Sequence, residues 1–128
     1  MRKMRKLTGK RGFTLVEIMI VVAIIGLLVA IAIPNFLRAR EEARANSCVA
    51  NLKQIEGAKE RWAMSTGAAQ AAVPGTTDLA PDFLKINPEC PSSGVYVLGA
   101  VNAVPTCDIG TNDTADTYDD HALPYASY

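Results

Sequence analysis

Glu17 is a lone acid near the start of an apolar run, FTLVEIMIVVAIIGLLVAIAIP, from Phe13 to Pro34. Burying a carboxylate costs up to ~2.5–3.5 kcal/mol at a bilayer centre and less towards an edge. An acid kept in such a run therefore needs a cation as its partner. Three thiols follow: Cys48, Cys90 and Cys107. In an oxidising compartment thiols pair, and Cys90 with Cys107 is the favoured disulfide, both falling on the β side. Such a closure stabilises by about 3 kcal/mol in the chain-entropy picture. Pairings of Cys48 with either partner stay open; otherwise Cys48 reads as a small buried apolar residue. A thiolate metal site is disfavoured, because the chain has no C-x-x-C and a single His, His121. His121 reads as a structural or surface residue. The acids Asp108, Asp113, Asp116, Asp119 and Asp120 crowd the C-terminal segment. Hard cations take six to eight oxygens, often from carboxylates close in sequence. These five are candidate calcium ligands, although spacing and the missing final Glu exclude an EF-hand loop. The alternative is a solvated acidic loop.

The elements that position these groups begin with a basic tail. The chain has 128 residues, 49% hydrophobic and 20% charged, with a formal net charge of zero. Residues 1–12 hold six bases and no acid, so 13 − 6 = 7 bases face 13 acids in the remainder. An acidic body argues against a nucleic-acid surface, and the tail reads as an address or anchor. Residues 18–33 carry no charge. At 1.5 Å per residue, roughly 20 apolar residues span the ~30 Å hydrocarbon core. The positive-inside rule places the tail in the cytoplasm. A plain signal anchor fits this pattern. So does a secretory signal peptide cut after Ala32, at Ala30-Ile31-Ala32. Glu17 speaks against both, since it serves neither anchoring nor translocation.

The stretch Lys10-Arg11-Gly12-Phe13-Thr14-Leu15-Val16-Glu17 resembles the prepilin processing signal of type IV pilins and type II secretion pseudopilins. The resemblance runs through Pro34-Asn35-Phe36-Leu37 into the Ala- and Arg-rich segment, about the first half of the chain. It implies cleavage between Gly12 and Phe13 by a prepilin peptidase and N-methylation of Phe13. It also implies that Glu17 meets the Phe13 ammonium of a neighbouring subunit. A pair within the same first turn is the local alternative, since positions i and i+4 are helix neighbours. The resemblance further implies unwinding between Gly26 and Pro34 in assembled filaments, and, for major pseudopilins, a calcium-holding loop near the C-terminus.

From Asn35 the pattern turns amphipathic. Cys48, Leu52, Ile55 and Trp62, with Ala45 and Val49, make one helical face. Glu56, Lys59 and Glu60 read as solvated. Pro34 removes a helix hydrogen bond and predicts a kink. Residues 65–77 form a linker of small residues closed by Pro74-Gly75. Thr77-Asp78 could cap a short helical turn through Leu84. Val95–Leu98 reads as a strand, with a turn at Asn102 and a returning strand over Pro105–Ile109.

The expected fold is α+β: a long N-terminal helix packed on a small antiparallel β head. The segments are a cleaved leader (1–12), a membrane or filament-core helix (13–34), an amphipathic helix (35–64) and a head (65–128). No G-x-S-x-G, H-E-x-x-H or P-loop occurs, so the expectation is no enzyme. The expected function is a structural subunit polymerising into a pilus-like filament or a secretion pseudopilus. Its partners would be copies of itself, the peptidase and an inner-membrane assembly machinery. The small head, the Cys90/Cys107 region and the Asp-rich tail lean towards the pseudopilin side. A secreted soluble protein and a membrane-anchored binding module are the alternatives.

Overall fold

The computed structural model describes residues 9, 12–110 and 119–124. The chain divides into two units, with the boundary after Phe36.

The first unit is the apolar part of helix α1, which runs over Leu15–Thr66. Its start follows from a capping signature. Thr14 precedes the first turn, and Glu17 stands at the third helical position. The segment is long and apolar enough to cross a membrane. Every residue from 12 to 40 is exposed in the single chain. Helical structure runs through both Gly26 and Pro34.

The second unit begins with the amphipathic part of α1. Ala45, Cys48, Leu52, Ile55 and Ala58 are buried on one face. Burying side chains such as Leu52 and Ile55 contributes roughly 1.5–3 kcal/mol each. Trp62 is only half-buried, at the edge of this face. The helix stops in a left-handed cap. Gly67 takes φ 67°, and the Ala68 N–H reaches back to the Ala63 carbonyl at 3.1 Å. Glycine has no Cβ to resist that conformation.

The linker is pinned rather than loose. Val101 donates to the Ala72 carbonyl, and Asn102 to the Gln70 carbonyl. Helix α2 is the single turn Thr76–Leu79. Gly75, not Thr77, is its cap residue, and the Asp78 carboxylate accepts the Gly75 N–H at 2.8 Å. The turn ends at Leu79, short of Leu84, with Pro81 following.

Two short strands form one antiparallel sheet among the described residues: β1 (Tyr96–Val97) and β2 (Thr106–Cys107). Tyr96 stands opposite Cys107, and Val97 opposite Thr106. Both lie inside the runs expected from sequence but are shorter. Two apolar clusters hold the head. One joins Cys48, Leu52, Cys90, Cys107 and Leu123. The other joins Ile55, Ala58, Leu79 and Leu84. Tyr96 packs against both.

Lys59 corrects the reading of a solvated face. It is fully buried. Its Nζ donates to the carbonyls of Leu98 (2.5 Å) and Ala103 (2.6 Å). The loop between β1 and β2 turns these carbonyls inward, and the long Lys59 side chain from α1 supplies donors to both. Desolvation lowers the Lys59 pKa, with Glu56 opposing.

Candidate functional site

The processing and assembly residues lie at the start of α1. Thr14 and Glu17 form a reciprocal capping box. Glu17 Oε2 accepts from the Thr14 N–H and the Thr14 hydroxyl, both at 3.1 Å. Glu17 N–H donates to Thr14 Oγ1 at 3.3 Å. Two of the orphan donors at a helix start are thereby satisfied. The T-x-x-E signature was available in the sequence, and it gives Glu17 a local role besides any role between subunits. Phe13 is 82% exposed, and no added Cβ at Gly12 would meet a neighbour. The proposed cut therefore lies on accessible backbone. Around it the surface is apolar: Leu15, Val16, Ile18, Met19 and their successors are all exposed.

A second cluster lies inside the head. Cys48, Cys90, Cys107 and His121 are all buried, and their ligand-type atoms lie within 4.8 Å of one another. Cys48 comes from α1, Cys90 from the turn before β1, and Cys107 from β2. His121 comes from the C-terminal segment, where its N–H donates to the Gly110 carbonyl at 2.9 Å. His121 Nδ1 stands 3.4 Å from Cys90 Sγ. Cys90 and Cys107 do meet, but Cys48 joins them, and all three are free thiols here. The sequence argument from the missing C-x-x-C did not anticipate this, because the four residues converge from segments far apart in the chain.

The environments of the thiols differ. Burial pushes the Cys48 thiol up to about 12, against a hydrogen bond from Tyr96. Burial also raises the Cys107 thiol, with the Ile109 N–H opposing. At Cys90 burial acts upward but is outweighed. The Ser92 and Gly94 N–H groups and the two other thiols hold it below the ordinary value. Tyr96 is raised, first by burial and then by its bond to Cys48. Asn51 Nδ2 donates to the Tyr96 hydroxyl at 3.1 Å and to the Glu89 carbonyl at 3.0 Å.

Gly94 is required by this packing. A Cβ there would fall 2.6 Å from Cys107 Sγ and 2.8 Å from Asp108 Oδ1. Asp108 itself accepts the Val95 N–H at 2.7 Å, so one candidate calcium ligand already serves the hairpin. Asp119 and Asp120 are half-buried. Asp113 and Asp116 lie outside the described residues.

The family pattern described as the prokaryotic N-terminal methylation motif matches residues 7–33. That span contains Gly12, Phe13 and Glu17. Over its first half, the chain is similar to type IV pilins and type II secretion pseudopilins. The type IV major pilin protein PilA of Myxococcus xanthus is 48% identical over 62 residues, covering 48% of this chain and 28% of the relative. The type II secretion system core protein G of Vibrio cholerae is 34% identical over 96 residues, covering 75% of this chain and 60% of the relative. Core protein G of Aeromonas hydrophila is 25% identical over 126 residues, covering 85% and 88%. The chain thus spans 28% and 60% of the first two relatives' own lengths. No solved structure matches. The long N-terminal helix and small antiparallel sheet agree with the α+β fold expected from the sequence.

Proposed function

We propose that this chain is the structural subunit of a type IV pilus-like filament or a type II secretion pseudopilus. It waits in the inner membrane with the basic leader in the cytoplasm and the head on the far side. A prepilin peptidase cuts between Gly12 and Phe13, and Phe13 is N-methylated. The apolar helices then leave the lipid and pack against one another as the filament core.

One observation carries this reading. The methylation motif coincides with an apolar helix that the single chain leaves unburied and that bears one acid in its first turn. Apolar surface of that extent is covered by lipid or by other copies. Moving Glu17 into a packed core is unfavourable unless a cation accompanies it. The Phe13 ammonium of the next subunit is such a cation, and methylation keeps its charge. Assembly then selects the register in which the two meet. A signal peptide cut after Ala32 would discard both the acid and the helix, leaving the motif without use.

Electron microscopy of cells making the full chain with its assembly machinery tests this. Wild type yields filaments. Glu17→Ala inserts in the membrane as well as wild type and yields none. Normal filaments from Glu17→Ala, or no filament from a correctly processed wild type, would overturn the proposal.

A further inference from the structure

We propose that Cys48, Cys90, Cys107 and His121 form a structural zinc site that ties α1 to the head.

The four side chains are the ligand types zinc prefers, in one of its common structural combinations, three thiolates and an imidazole. Zinc–sulfur bonds of about 2.3 Å place tetrahedral ligand atoms about 3.8 Å apart. The four atoms already lie within 4.8 Å of one another, so closure onto an ion needs only small side-chain movements. No carboxylate belongs to the set, which disfavours calcium and magnesium. Four protein ligands leave no open position for substrate, so the site is structural rather than catalytic.

The surroundings fit bound thiolates. Cys90 Sγ stands 3.4 Å from His121 Nδ1, at the start of the turn Cys90-Pro91-Ser92-Ser93-Gly94, in which Ser93 takes φ 64°. Tyr96 packs against the cluster that holds Cys48, Cys90 and Cys107, and Asn51 Nδ2 donates to its hydroxyl at 3.1 Å. Hydrogen bonds of this kind orient ligands around a metal. A disulfide between any two of the cysteines would account for only part of the cluster. It would leave the third thiol and the buried imidazole without a purpose.

A head of this size also needs a staple. Among its described residues the head has two strands of two residues each and a single-turn helix. Small domains with so little regular structure are usually stapled by disulfides or metal. An ion held from four segments would close the head around α1 in one step.

The four ligands all lie in the second unit, after Phe36, so the site does not depend on polymerisation. The test uses the full chain in detergent, purified without chelator, and measures bound metal by mass spectrometry and cobalt uptake by absorption. The expected result is one zinc per chain, replaced by Co²⁺ with intense visible bands of tetrahedral geometry and sulfur-to-cobalt charge transfer. Cys48→Ser and His121→Ala should each lose tight binding, and the Cys48→Ser charge-transfer intensity should fall by about a third. Wild type with no zinc, and no thiolate-bound cobalt when reduced, would overturn the site. So would a disulfide between any two of the three cysteines in protein trapped with alkylating agent on cell lysis. The wild-type cobalt spectrum decides the matter even if the variants fail to fold.

Discussion

Both hydrogen bonds that Thr14 donates to Glu17 fall on the same oxygen, Oε2. The carboxylate therefore caps its own helix with one oxygen, while the other, Oε1, makes neither of these bonds. Capping and pairing with a neighbour's ammonium are compatible demands on one side chain. The two roles can be separated by substitution.

Glu17→Gln keeps an oxygen that can accept from Thr14 and removes the charge. It should preserve the helix start and abolish filaments. Thr14→Ala does the opposite: the cap weakens by about 1 kcal/mol, and filaments persist. Amide exchange over residues 15–18 in micelles reads the cap, and filament yield reads assembly. Wild-type filaments from Glu17→Gln would show that charge is not what the acid contributes.

Gly12→Val places a branched side chain at the proposed cut. The backbone is accessible there, so the effect falls on the peptidase and not on folding. Uncut precursor should accumulate in the membrane, seen as the heavier band on a gel. Normal processing would remove Gly12 from the recognition signal.

Gly94→Ala should destabilise the head by about 1–3 kcal/mol. Its Cβ meets Cys107 Sγ at 2.6 Å, and the sulfur cannot move without leaving the cluster. Thermal unfolding of the full chain in detergent measures this. A melting temperature equal to wild type would mean that Cys107 has room to yield.

Lys59→Met removes two hydrogen bonds and leaves the Leu98 and Ala103 carbonyls without them. Each buried acceptor left unbonded costs about 1–3 kcal/mol, offset in part by no longer burying a charge. Net destabilisation is expected at neutral pH. The pH dependence has a definite sign. Folded Lys59 holds its proton less tightly than the ordinary 10.5. Between its folded pKa and 10.5 the unfolded chain binds more protons, so stability rises with pH there. Denaturation at stepped pH should show wild type gaining on Lys59→Met across that window. A constant gap would mean that Lys59 does not titrate below its ordinary value.

Much of the fold was legible because periodicity carries it. The i, i+3, i+4 pattern placed Ala45, Cys48, Leu52 and Ile55 on the buried face, where the structure has them. Gly12, Phe13 and Glu17 stood out because spacing within one short segment defines the motif. Lys59 was misread because residue type argues for exposure, and the demand of two inward carbonyls is a tertiary fact. Sequence could not assemble the Cys48, Cys90, Cys107 and His121 cluster for a related reason. Metal spacing rules work when ligands share a local loop, and these four are brought together only by the fold. The capping box of Thr14 and Glu17 was legible but overshadowed by the membrane argument.

The first residue of the mature protein separates a filament subunit from a secreted protein and from a plain anchor. Mass spectrometry of the N-terminal peptide, from membranes of cells that process the full chain, should find N-methylated Phe13 with residues 1–12 gone. A protein beginning at Ile33 would be a secreted product, and one still beginning at Met1 would be a plain membrane anchor. Either result would contradict the filament-subunit account.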